Sequence, residues 1–180
     1  EEGDTAGQKY AVAVDLGVNT IVASLVDLHR GRKIAVVTDT NPQMDLAENY
    51  EQRVSLIAEN PLNLEILNEE ILLRIDILIL ELCRARGVMP LHVYEIVLSG
   101  GTGMLHLFLK GIAGFMEQQP ASAAAGARSF SAEQFDFKSS QQARIYTLPV
   151  IGAYAGADIT AGILATQLHR SAETVLLLDL

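Results

Sequence analysis

Apolar residues alternate with small ones from Tyr10 to Asp15 and run into Asp15-Leu16-Gly17, the pattern of a strand ending in a tight turn. Ile21 to Leu28 reads as a second strand. His29-Arg30-Gly31-Arg32 is a polar turn, and Lys33 to Thr38 is a third short run rich in valine and isoleucine. Strands joined by so few residues pair as an antiparallel meander.

From Asp45 the period becomes helical, with a break at Asn60-Pro61 because proline disfavours a helical residue before it. In the next helix Leu64, Leu67, Ile71, Ile75, Leu78 and Leu82 step by three or four into one stripe, and Gly87 supplies the stop. Leu72 and Ile79 widen the stripe, which predicts cover on two sides and packing against a sheet carrying Val12, Val14, Val22 and Val97. Tyr94 to Leu98 is a short buried strand leading into Ser99-Gly100-Gly101-Thr102-Gly103 and another helical pattern. Ala121 to Ser140 lacks a period and reads as a long connection. Arg144 to Val150 is a strand, Gly156 to Gln167 a helix, and Thr174 to Leu180 a final apolar strand.

This order predicts an α/β fold, a mixed sheet with a three-strand antiparallel meander and helices on its faces. Residues 1–9 are expected to be a polar linker, 10–173 one compact domain, and 174–180 the first strand of a second, truncated unit. A last strand with nothing after it would leave backbone groups without partners.

Composition narrows the function. Hydrophobic residues make up 49% of the 180 and mean hydropathy is +0.25, as for elements buried on more than one side. Acidic residues outnumber basic ones, 22 against 13, and the net charge of -9 argues against a nucleic-acid partner. The lone Cys83 excludes a disulfide or a cysteine-ligated iron-sulfur cluster within the chain and suits a reducing cytoplasm. Ile71 to Cys83, the most apolar stretch, is interrupted by Arg74, Asp76 and Glu81 and is too short to cross a membrane. Glu1 to Gln8 lacks the basic start and apolar run of a signal peptide.

Asp15-Leu16-Gly17-Val18-Asn19-Thr20 is the segment with chemical promise. Amides in such a turn form an anion-binding concavity, and an aspartate beside it can hold Mg²⁺ through water. Alone, the hexapeptide reads first as an ordinary hairpin turn, for which Asp, Gly and Asn are common choices. Three other conspicuous residues have structural explanations. His106 sits on an apolar helix as a packing residue, Asp158 favours the positive end of a helix dipole, and Cys83 is a small buried hydrophobe.

Asp-x-Gly-x-x-Thr between two hairpin strands is similar to the first phosphate loop of the superfamily of actin, sugar kinases, acetate kinase and heat-shock ATPases. Leu176-Leu177-Leu178-Asp179-Leu180 echoes Val12-Ala13-Val14-Asp15-Leu16, as a second such loop would. Asn41-Pro42-Gln43, Met104 to Leu109 after a Gly-Thr loop, and Leu148 to Asp158 together resemble the reductive activators of corrinoid proteins within that superfamily. The resemblance implies a ribonuclease H-like subdomain of an actin-type ATPase. It also implies ATP and Mg²⁺ as ligands, with Asp15 organising metal-bound water, Gly17, Val18, Asn19 and Thr20 cradling phosphates, and Asp179 positioning metal or attacking water. Such activators couple ATP hydrolysis to electron transfer from an iron-sulfur centre, here outside the chain, onto cob(II)alamin. The product is the cob(I)alamin of a corrinoid partner protein that transfers methyl groups, and the resemblance allows a homodimer.

The sequence departs from the activators in places. Val18 replaces a small or hydroxylated residue, Gly101 an asparagine, and Gly111 to Phe130 a proline-containing stretch. Two other readings stay open, a small-molecule kinase in which Ser99 to Gly103 faces an acceptor and a non-catalytic interaction domain.

Overall fold

A computed structural model describes residues 7–109, 126–135, 137, 141–152 and 155–178. Strands β1 (Tyr10–Leu16), β2 (Thr20–Asp27) and β3 (Arg32–Thr40) form the expected meander, β1 antiparallel to β2 and β2 to β3. On the other side of β1 the sheet turns parallel: β4 (Val93–Gly100) runs with β1, and β6 (Arg144–Thr147) runs with β4. A further strand, β5 (Arg128–Ser131), lies antiparallel to β6 and closes a six-stranded mixed sheet of order β3-β2-β1-β4-β6-β5.

Strand β5 falls inside the stretch read from sequence as a connection. Its Arg-Ser-Phe-Ser is short and mostly polar, so an edge position rather than apolar periodicity makes it a strand. The part of that stretch at 121–125, 136 and 138–140 lies outside the described residues. Strand β6 stops at Thr147, short of the expected Val150, because Pro149 has no amide to give a ladder. Residues 174–178 pair with no strand among the described residues. Val175, Leu176 and Leu178 are exposed, and Leu177 rests near Gly162.

Helix α1 (Tyr50–Glu59) begins later than the period suggests, because Asn49 caps it by accepting from the Gln52 amide and a short 3-10 turn, Pro42–Asp45, precedes it. Helix α2 (Leu62–Arg86) follows the break at Asn60-Pro61 and ends at Gly87, whose φ of 63° is left-handed. Its buried stripe, Leu67, Ile71, Ile75, Leu78, Ile79 and Leu82, lies over β2 and β3, with Leu64 and Leu72 half-buried beside it. The sheet answers with Val12, Val14, Ile21, Ala23, Ile96 and Leu98.

Val22 and Val97 point to the opposite face, contrary to the sequence reading, since successive strand residues alternate. Beyond the sheet, α2 also meets α1 and helix α3 (Thr102–Phe108), while its remaining side, with Leu62, Ile66, Leu73 and Leu80, is exposed. Helix α3 stacks Phe108 on Phe135 at 4.9 Å. Helix α4 (Ala157–Thr166) lies against β4, on the face to which Val97 and Ser99 point. Helices therefore occupy both faces of the sheet. Among the described residues none is long and apolar enough to cross a membrane.

Candidate functional site

Ligands of open α/β sheets gather at the carboxyl ends of parallel strands. Here β1 and β4 end side by side, Asp15 opposite Ser99 and Leu16 opposite Gly100. Beyond β1 the chain turns within Gly17–Thr20, closed by the Gly17 amide donating to the Thr20 carbonyl at 2.9 Å. A β-carbon at position 17 would stand 2.7 Å from that same oxygen, so the turn requires glycine. The two strand ends and one face of α4 enclose an open cleft of about 490 Å³.

Asp15, Gly17, Ser99, Gly101, Asp158 and Gly162 are among the residues lining this cleft. Ala161, Gly162 and Ala165 give α4 a face of small side chains, which keeps the space free. The Asp15 carboxylate is exposed and accepts from the Ser99 hydroxyl at 3.1 Å. Asp158 stands in the first turn of α4, where its Oδ1 accepts from the Ile159 amide at 2.7 Å. Its other oxygen faces Gly101, 3.7 Å from where a β-carbon would lie. Gly156 brings the two segments together, since a β-carbon there would meet the Gly100, Gly101 and Thr102 backbone at 2.7 Å.

Of the residues singled out in sequence, Asp15 and Gly17 therefore line one cleft. Val18 is half-buried and packs on the core, while Asn19 and Thr20 are exposed. Asp179 lies outside the described residues. Asp158, read as a helix-start acid, is that and a second cleft carboxylate as well. The signal was present in Gly156, a small residue where backbones must approach, but sequence alone does not say what it approaches.

Behind the loop lies a buried polar network that the sequence reading missed as chemistry. Asn41, Gln43 and Arg53 are all fully buried. Asn41 Nδ2 donates to the Gly17 carbonyl at 2.9 Å, and the Asn41 amide donates to the Asn19 carbonyl at 2.8 Å. The Arg53 guanidinium donates to the Val18 carbonyl and to Gln43 Oε1, both at 2.8 Å, and more weakly to the Ala47 carbonyl at 3.3 Å. Gln43 Nε2 in turn donates to the Leu67 carbonyl of α2 at 2.7 Å. Burial lowers the pKa of Arg53 and, elsewhere, that of His106, whose ring is half-buried on α3.

Comparison with known proteins places this geometry. Residues 10–171 match the family model described as the RACo middle region. A curated relative, the corrinoid activation enzyme RamQ of Eubacterium limosum, is 25% identical over 177 residues, covering 95% of this chain and 29% of its own length. A solved structure of a reductive activator for corrinoid, iron-sulfur protein superposes with a TM-score of 0.84 at 29% identity, covering 96% of this chain and 28% of that one. The chain thus spans less than a third of either relative. Because the family match spans residues 10–171, most of its length, the chain belongs to the RACo middle-region family.

Proposed function

We propose that this chain is the phosphate-binding portion of an ATP-dependent activator that promotes reduction of cob(II)alamin to cob(I)alamin in a corrinoid protein. The observation that carries the reading is the cleft at the ends of β1 and β4, which the Asp15 carboxylate and Gly17, the first residue of the turn, line together. The names of both relatives supply the corrinoid side of the reading. In this reading the sheet is the ribonuclease H-like half of an actin-type ATPase.

The residues present suit a magnesium nucleotide. Among the described residues no three His, Cys, Asp or Glu gather into a direct metal cage. Mg²⁺ keeps several waters and takes few carboxylates, so one exposed aspartate with a neighbouring hydroxyl is an apt donor set. Mg²⁺ bound there would offset repulsion between the phosphates and the two cleft carboxylates. Asp15 would hold and orient metal-bound water, Ser99 fixes the Asp15 rotamer, and the Val18, Asn19 and Thr20 amides would receive phosphate oxygens. Asp158 stands across the cleft, placed to align a water. Asp179 would serve the metal or the attacking water from a second loop. The electron would come from an iron-sulfur centre carried outside this chain, and the corrinoid protein would receive it.

Asp15→Ala in the protein extended to the length of its relatives should weaken magnesium-ATP binding by about tenfold or more, without changing the melting temperature by more than a few degrees. Isothermal calorimetry with ATP, in magnesium and in EDTA, reads this directly. Equal affinity for the variant, or no magnesium dependence, would rule out Asp15 as the organising carboxylate.

A further inference from the structure

The Gly17–Thr20 turn is held from behind by a buried charge, a device that rests on the phosphate reading above and extends it to residues outside the cleft. Three successive loop carbonyls are taken by buried donors: Gly17 and Asn19 by Asn41, and Val18 by Arg53. In a trans peptide the N–H points opposite to the C=O of the same unit, and no cis peptide occurs among the described residues. Drawing those carbonyls toward buried donors therefore turns the amides of Val18, Asn19 and Thr20 the other way, outward. A phosphate is repelled by carbonyls and attracted by amides, so this orientation decides what the loop can bind.

Arg53 adds charge to geometry. Every group it reaches, the Val18 and Ala47 carbonyls, Gln43 Oε1 and Met104 Sδ, is uncharged. A guanidinium stays protonated at neutral pH, and inside protein its field is screened far less than on the surface. Gln43 sets the fork: anchored on α2 through the Leu67 carbonyl, it accepts from Arg53 and leaves the other guanidinium nitrogen on Val18.

We propose that Arg53, seated by Gln43, is a positioning residue that fixes the Gly17–Thr20 turn in its anion-accepting conformation and supplies a buried positive charge that a bound phosphate balances. Asn41 and Gln43 of the Asn-Pro-Gln motif are then parts of the same device. The position of Val18 also finds its reason: its side chain packs on the core while its carbonyl, not a side-chain hydroxyl, ties the loop down.

The test uses the protein extended to the length of its relatives in three forms: unchanged, Arg53→Lys and Arg53→Met. Amide hydrogen exchange is measured at residues 18–20 and compared with β1, β4 and α2, and magnesium-ATP affinity is measured by calorimetry. Arg53→Met should speed exchange at 18–20 by roughly tenfold or more, with β1, β4 and α2 unchanged, and should weaken ATP by roughly tenfold to a hundredfold. Arg53→Lys keeps the charge but loses the fork, so both effects should be smaller. A merely structural arginine predicts otherwise, since replacing a buried ion by an apolar side chain is often neutral for stability and would single out no loop. Unchanged exchange at 18–20, or a rise shared equally by β4 and α2, overturns the proposal. If the unchanged protein binds no ATP, the functional reading falls and the exchange pattern alone decides the positioning role. Should Arg53→Met fail to fold, Arg53→Lys decides by the same loop-specific criterion.

Discussion

A single residue shows how far burial reaches into reactivity. Cys83 lies within the α2 stripe, almost wholly inaccessible, and burial pushes its thiol up to about 11. The thiolate is the nucleophile, so at pH 8 the folded protein holds this sulfur in its inert form. A thiol-reactive dye should label Cys83 within minutes in 8 M urea and only at the rate of unfolding in buffer. Immediate labelling of the folded chain would show that α2 does not cover it. The pH dependence has a definite sign. An unfolded thiol ionises from about pH 8.5, the folded one only near 11, so its contribution is complete below the first value and fades as pH rises toward the second. The melting temperature, relative to Cys83→Ala, should therefore fall between those two pH values and stay level below them.

Among the elements, α2 was the most legible in sequence and also shows where legibility stopped. Its stripe and its Gly87 stop follow from a period of 3.6 and from glycine's tolerance of positive φ, both local properties. Its exposed side did not follow, because Leu62, Ile66, Leu73 and Leu80 are as apolar as the residues they flank. The same ambiguity put Val22 and Val97 on the wrong face: a strand read without its register has two apolar sides. At the site, the Asp15 and Gly17 turn was legible as a motif, whereas the Asp158 and Arg53 placements depend on packing across the chain. Two substitutions test which side of α2 stays open. Leu78→Ala should destabilise by roughly 2–5 kcal/mol, the range for a fully buried leucine, while Leu73→Ala should stay within about 0.5 kcal/mol. Urea unfolding monitored by circular dichroism gives both values, and equal effects would mean that the exposed side is covered in solution.

At the scale of the molecule, the cleft is open, and among the described residues its walls are the ends of β1 and β4 and one face of α4. Its lining runs from Asp15 to Gly17, from Ser99 to Gly101, and along the small-residue face of α4 from Asp158 to Ala165. These groups suit phosphate and metal. They do not suit adenine, which wants broad apolar walls of the kind that bury most of a ligand's surface. Small residues and two carboxylates offer none, and without metal the carboxylates repel a polyphosphate. In the solved relative the matched part is 28% of the chain. Residues 1–180 alone should therefore bind magnesium-ATP only weakly, at best millimolar, whereas the protein extended to the relatives' length should bind it at least about a hundredfold more tightly. Inorganic triphosphate gives the control: lacking adenosine, it should distinguish the two forms much less than ATP does. Calorimetry on both proteins with both ligands decides the matter. Tight ATP binding by residues 1–180 would mean that the adenosine site lies within this cleft after all, and equally weak binding by the extended protein would remove the ATPase reading.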